Sequence, residues 1–167
     1  MNDHSSRAAS TPDGPEQRAR ADALGQKILA KIPLARAMAL SITRYDGDSL
    51  TIAAPLAPNI NDKGCAFGGS LASLMTLAGW SLLKLALDAR GIEGDIYVKD
   101  STIRYLAPLW QDFSTTASLA GGDTFEAFFK ALETRGKGRL HVHCVVPLPE
   151  GGEAALLDAQ FVALAKR

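Results

Sequence analysis

Residues 66–87, AFGGSLASLMTLAGWSLLKLAL, decide the fold of this chain. Its polar side chains are Ser70, Ser73, Thr76, Ser81 and Lys84. At 100° per residue they fall within one sector of about 140°, and the rest of the circumference is apolar or small. A helix of this kind, about 30 Å long, needs to be enclosed on most of its sides.

The same segment is nearly long enough to cross a membrane. However, it is the one such segment in the sequence, and strand-like alternation follows it directly. We therefore predict a buried core helix and no membrane partner.

The first 20 residues are rich in Ser, Pro, Asp and Arg, and we predict that residues 1–20 form a disordered tail. The domain is then expected to span residues 21–167. It starts with a short amphipathic helix from about Ala21, which Pro33 stops.

Alternating polar and apolar residues predict an antiparallel hairpin before the long helix and further strands after it. The predicted strands are Ala39–Tyr45, Ser49–Ala54, Asp95–Leu106, Phe113–Leu119, Lys137–Pro147 and Ala154–Ala165. A short helix is predicted before the last two strands, with Asp123 and Glu126 spaced as a capping box. These elements indicate an α+β fold, with a six-stranded antiparallel sheet wrapped around the long helix.

Composition limits the functions that the chain can have. It has 167 residues, 47% of them hydrophobic, which fits one globular domain. The 18 basic and 18 acidic residues cancel, so no overall charge attracts nucleic acid or an anionic membrane. Two cysteines do not make a disulfide framework, and the polar start lacks an apolar signal segment, so we expect a cytoplasmic protein.

The segment with the clearest chemistry is 58–70, PNINDKGCAFGGS, in which polar groups precede the paired glycines that open the long helix. Gly68 and Gly69 would let a ligand approach the backbone, where the free N–H groups of the first turn stabilise an oxyanion. Alternatively, the two glycines merely relieve crowding between helix and sheet.

The run 57–71, APNINDKGCAFGGSL, followed by LAGW at 77–80, resembles the thioesterase-like YiiD C-terminal domain family, which has the hot-dog fold. The resemblance extends from about Leu24 to the end. It implies a six-stranded sheet around a central helix and a homodimer with active sites at the subunit interface. It also implies an acyl thioester of coenzyme A or of an acyl carrier protein as the substrate, without a cofactor.

A further comparison is with hot-dog thioesterases of the phenylacetate-pathway type, which carry an Asn, a His-Gly-Gly and an Asp. Asn61 and the two glycines match that pattern. Phe67 stands in place of the His, and Thr76 in place of the Asp. We predict Asn61 and Gly69 as catalytic residues, with Asp62 as the general base and Thr76 orienting a water. The Asn-Asp pair is alternatively a cap or an Asx-turn.

The remaining predicted substrate-binding residues are Asn59, Lys63, Phe67 and Gly68. Lys63 pairs with a phosphate of the carrier or extends into water. His141 and His143 share a strand face, but two histidines do not make a metal site, and we predict none.

The favoured function is therefore acyl-thioester hydrolysis. Because Phe67 and Thr76 stand where acid-base residues are expected, the alternative is a non-catalytic module that binds acyl thioesters. A hot-dog hydratase would need a His near the helix start, and none is present there. The long strand Asp95–Leu106 has few charges to protect its edge, so we expect it to pair with a second copy of the chain, in a homodimer or a higher homo-oligomer.

Overall fold

The computed structural model describes residues 14–166. The helices are α1 (Pro15–Lys31), α2 (Pro33–Ala37), α3 (Gly68–Ala89) and α4 (Phe125–Arg135), with a 3-10 turn at Ala57–Asn59. The strands are β1 (Ser41–Tyr45), β2 (Ser49–Ala54), β3 (Gly94–Tyr105), β4 (Phe113–Leu119), β5 (Lys137–Pro147) and β6 (Glu153–Ala165).

All strands form one antiparallel sheet in the order β1-β2-β4-β5-β6-β3, and this sheet encloses α3. Leu74, Met75 and Leu82 of α3 are completely buried, as is Phe161 of β6. Packing of this apolar helix surface against the sheet supplies the hydrophobic core. The fold is therefore the predicted hot-dog arrangement.

Helix α1 begins earlier than predicted. The sequence predicts that residues 15–20 belong to a disordered tail, but Pro15 starts the helix, and the Gln17 Oε1 accepts a hydrogen bond from the Gly14 N–H at 2.8 Å. An ion pair between Arg20 and Glu16, 2.7 Å apart, spans the first turn. Proline at the first helical position and a cap of this kind favour a helix start despite the polar composition. The rest of the predicted tail, residues 1–13, lies outside the described residues.

Helix α4 is capped differently from the prediction. Thr124, and not Asp123, is the N-cap, and its Oγ1 accepts a hydrogen bond from the Ala127 N–H. Asp123 instead accepts hydrogen bonds from the backbone and the ring of His141 on β5. Asp123 therefore joins the helix start to the sheet, which the local sequence spacing could not show.

Helix α3 leaves one side open. Half-buried residues recur at helical spacing along it, and they include Ser73, Thr76 and Trp80. Ser81, predicted to lie on this polar side, is instead completely buried. By length and composition α3 is the one described helix that could cross a membrane, but 67% of its apolar window is buried inside the fold. We call this partly uncovered side the open side of α3.

Strand β3 forms one edge of the sheet, since it pairs with β6 alone in the described chain. Nine of its twelve residues are exposed, including the large side chains Tyr97, Val98 and Tyr105. An edge of this length with exposed apolar side chains is typical of a surface that another chain covers.

Candidate active site

The loop before α3 is closed by its own hydrogen bonds. The Asn61 N–H donates to the Cys65 carbonyl at 2.8 Å, and the Asn61 Oδ1 accepts from the Lys63 N–H at 2.8 Å. Gly64 allows the turn because its φ of +86° lies in the left-handed region. The Asn61 side chain thus forms the Asx-turn considered above, and its Nδ2 also donates to the Cys65 Sγ at 3.1 Å.

Asn59 fixes this loop from the inside. Its side chain is 2% exposed, and its Nδ2 donates to the carbonyls of Met38 and Pro55 at 2.9 and 2.8 Å. The backbone carbonyl of Asn59 accepts a hydrogen bond from the Phe67 N–H at 2.7 Å. The structure therefore gives Asn59, predicted to bind substrate, a role in holding the loop against the helix start.

Phe67 is the N-cap of α3, and its carbonyl accepts the first intrahelical bond from the Leu71 N–H at 3.1 Å. The amides of Gly68, Gly69 and Ser70 precede that bond, so they carry the positive end of the helix dipole. The Phe67 ring is 53% exposed and lies over Gly69, since a Cβ added at Gly69 would overlap it. The ring therefore occupies the space beside Gly69 that a side chain at this position would fill.

A cavity of about 340 Å³ opens beside the helix start. Its walls are the Asn61–Cys65 loop, the first residues of α3 and the segment 105–109 that follows β3. Of the predicted site residues, Asn61 and Gly68 line it. None of the described residues that line it carries a formal charge at neutral pH, so the helix dipole is the main electrostatic feature of its wall.

Tyr105 is a site residue that the sequence analysis missed. Its hydroxyl donates to the Gly68 carbonyl at 3.2 Å, and its ring lies 3.4 Å from where a Gly68 Cβ would be. The aromatic residue at the end of a predicted strand was the available signal. Because β3 pairs with the distant β6, the local sequence did not show that this strand ends at the helix start.

Asp62 and Lys63 lie on the outer side of the loop. The Lys63 Nζ lies 3.0 Å from the Asp62 Oδ1. The side chain of Lys63 is 70% exposed and that of Asp62 is 79% exposed. Neither lines the cavity in the single chain. Their predicted roles as phosphate ligand and general base therefore require a substrate that reaches the outer face of the loop, and they stay predictions.

Thr76 lies on the open side of α3, seven residues beyond Gly69 and thus about 10 Å along the helix axis. Its Oγ1 donates to the Ala72 carbonyl at 2.8 Å, which leaves the oxygen lone pairs as acceptors. Thr76 does not line the cavity of its own chain. Of the predicted catalytic and binding residues, the structure brings Asn61 and Gly68 together at the cavity, whereas Gly69, next to Gly68 in the chain, and Thr76 do not line it.

The two histidines that the sequence placed on one strand face each bind a carboxylate. The His141 Nδ1 lies 2.9 Å from the Asp123 Oδ2, and the His143 Nδ1 lies 2.7 Å from the Asp158 Oδ1. The two contacts involve different carboxylates on the outer surface of the sheet. They are separate polar pairs, far in sequence from the α3 start.

Comparisons with known proteins agree with the fold described above. The family described as "Putative thioesterase (yiiD_Cterm)" matches residues 21–165. A protein of unknown function from Chlorobaculum tepidum is 28% identical, with a TM-score of 0.82, and the match covers 92% of this chain and 98% of that one.

Two further solved structures are similar. A "putative thioesterase" from Shewanella oneidensis is 27% identical, with a TM-score of 0.77 over 88% of this chain and 99% of that one. A "probable thioesterase" from Pseudomonas aeruginosa is 19% identical, with a TM-score of 0.73 over 95% of this chain and 100% of that one. At that lower identity the last similarity concerns the fold alone.

Proposed function

Because the chain belongs to the thioesterase-like YiiD C-terminal domain family, we propose that it hydrolyses acyl thioesters of coenzyme A or of an acyl carrier protein. The observation that carries the proposal is the cavity in which the first turn of α3 meets the Asn61 loop. Backbone amides aimed at a developing oxyanion, with a helix dipole behind them, stabilise the tetrahedral intermediate of acyl transfer.

In the proposed reaction a water attacks the thioester carbonyl carbon. The Gly69 amide stabilises the resulting oxyanion, and Asn61 holds the water or the carbonyl in place. Asp62 accepts a proton from the attacking water and returns it to the sulfur as the C–S bond breaks, so that the leaving group departs as a thiol. The products are a carboxylic acid and a free thiol. Phe67, which lies over Gly69, moves aside and contacts the acyl group, and Lys63 binds a phosphate of the carrier.

The proposal includes a homodimer formed along β3. The open edge of β3, its exposed Tyr97 and Val98, and the cavity beside Tyr105 all lie along this one strand. A second copy that extends the sheet there would cover the exposed side chains and close the cavity. Thr76 does not line the cavity of its own chain, so we assign it to orienting a water in the site of the second copy.

A non-catalytic module that binds acyl thioesters is the second candidate. Two observations favour it. Phe67 covers Gly69, and no formally charged side chain is among the described residues that line the cavity. A cytoplasmic location is part of both proposals, since the free thiols of Cys65 and Cys144 suit a reducing compartment.

The test combines turnover and binding. Thiol release is measured with acyl-CoA and acyl-carrier thioesters of graded chain length, and binding is measured with thioether analogues that cannot be hydrolysed. Release at a rate above that of buffer supports the enzyme. Tight binding without release supports the module. If neither is observed with any chain length, both candidates are refuted.

A further inference from the structure

A second cavity, of about 340 Å³, lies near the C-terminal end of α3, away from the candidate active site. Four elements form it: α1, the β1–β2 hairpin, the end of α3 and α4. At about 30 Å³ per water, this volume corresponds to roughly a dozen waters, or to an organic molecule of similar atom count. The cavity has no part in the reaction proposed above.

The floor of this cavity is apolar and aromatic. Phe125 and Phe129 of α4 line it, with ring centroids 6.3 Å apart, and Ala86 and Ala89 of α3 add small side chains. Phe129 is buried and so fixed in place, whereas Phe125 is half-buried and presents its ring to the cavity. An alkyl or aryl group that binds on this floor is removed from water, and that burial lowers the free energy of the complex.

The rim of the cavity is cationic. The Arg90 Cζ lies 3.9 Å from the centroid of the Phe129 ring, so the guanidinium is held in place by a cation-π contact. Within residues 14–166 this guanidinium has no carboxylate partner. Arg20, on the opposite side, pairs with Glu16 at 2.7 Å. The lining therefore carries one net positive charge, located at Arg90.

The neighbouring acidic groups do not neutralise Arg90. Asp46, on the hairpin beside the cavity, accepts hydrogen bonds from the Ser49 N–H and hydroxyl and pairs with Arg44 at 3.0 Å. Tyr45, 4% exposed, lines the cavity, and burial keeps its hydroxyl protonated by raising its pKa, although the Arg20 charge acts in the opposite direction. The wall thus offers a neutral phenol and a fixed guanidinium.

We propose that this cavity binds an organic monocarboxylate with an alkyl or aryl body of about ten non-hydrogen atoms. The carboxylate pairs with the guanidinium of Arg90, whose planar fork suits two oxygens, and the body lies against the half-buried ring of Phe125 and the small side chains of Ala86 and Ala89. The acid released by thioester hydrolysis belongs to this class. That identification of the ligand as a reaction product rests on the proposed function, whereas the binding itself does not.

The experiment is a titration of the full-length protein with decanoate, followed by backbone amide NMR and by calorimetry. We expect the largest shift changes at Gly47, Ala89 and Phe129, and small ones at Gly68 and Tyr105. Arg90→Gln should weaken binding at least about tenfold, which is the expected loss of a charge-assisted pair. Arg139→Gln, an exposed arginine on β5, is the matched control and should bind as the wild type does.

Decanol and decylamine, which share the chain but not the anion, should bind at least about tenfold more weakly. The inference is overturned if decanoate does not bind at low millimolar concentration, if the shifts centre on Gly68 and Tyr105, or if Arg90→Gln binds as the wild type does. No thioester is present, so a failure here is independent of a failure of hydrolysis.

Discussion

Replacing Gly69 by Val tests the oxyanion role of the α3 start. Gly69 is the second residue of the helix and has no left-handed φ, so the backbone accepts valine. The new Cβ would overlap the ring of Phe67, which has to move. That ring is 53% exposed and belongs to a side chain that can rotate outward, so the helix itself need not shift.

Stability and activity should therefore respond very differently. Full burial of a Phe side chain contributes about 1.5–3 kcal/mol, and Phe67 is already half exposed, so moving it costs at most about 1.5 kcal/mol. Valine recovers a few tenths of this through its better helix propensity than glycine. For a chain of this size the melting temperature should fall by no more than about 6 °C. Valine keeps the backbone N–H of residue 69, but its branched side chain would block the approach of the thioester carbonyl to that donor. Loss of one oxyanion contact lowers kcat by about 100- to 1,000-fold.

The assay is thiol release from the best acyl thioester, with a thermal melt of the same preparation. Gly25→Val is the matched control, since Gly25 lies on α1 and a Cβ there would meet nothing within 4 Å. This variant should keep its activity. If Gly69→Val folds normally and retains more than about a third of the wild-type kcat/KM, the carbonyl is not polarised by the Gly69 amide.

Four further outcomes are expected. Asp62→Asn should lower hydrolysis at least about tenfold with unchanged binding of a thioether analogue, and unchanged turnover would exclude Asp62 as the base. Val98→Lys places a charge on the open edge of β3 and should shift light scattering toward the monomer mass, whereas an unaffected dimer would place the interface elsewhere. Burial raises the pKa of Asp46, but its hydrogen bonds outweigh this and hold the pKa below the usual range. The stability that it contributes is thus present above about pH 4 and lost below, and urea unfolding of Asp46→Asn should show a weaker acid dependence. Gly79→Ala would put a Cβ 2.7 Å from the ring of buried Phe161 and should destabilise the fold by about 1–3 kcal/mol in the same measurement, and a gain in stability would contradict the tight contact.

The elements could be predicted because their signals are local. The central helix shows a helical period over its whole length, and the strands show alternation between turn residues. β2, β4 and β5 have the predicted bounds. β6 begins one residue earlier than predicted, β3 is shifted by one residue at both ends, and β1 begins two residues later. Helix α2 was missed because Pro33 both ends α1 and starts a new five-residue helix.

The candidate site could be predicted only in part because it depends on contacts across the sheet. The Gly-Gly helix start and the Asn61 loop are contiguous in sequence, so their proximity follows directly. Tyr105 reaches Gly68 because β3 pairs with β6 and not with its sequence neighbour β4. That strand order depends on long-range packing, which periodicity does not encode. The contact between Asp62 and Lys63 on the solvent side of the loop likewise depends on the direction of the turn, which the residue types alone do not give.

The glycines of α3 differ in how much room a side chain would have at each position. A Cβ at Gly79 would lie 2.7 Å from Phe161, a completely buried ring, so packing alone requires glycine there. A Cβ at Gly68 would make an ordinary contact with Tyr105 at 3.4 Å, and one at Gly69 would meet a half-exposed ring that can rotate away. Crowding against the sheet therefore explains Gly79, whereas the close contact at Gly69 is with the Phe67 ring at the same helix start. Close approach of a ligand to the first-turn amides is the proposed explanation for the pair, and Gly69→Val is the substitution that tests it.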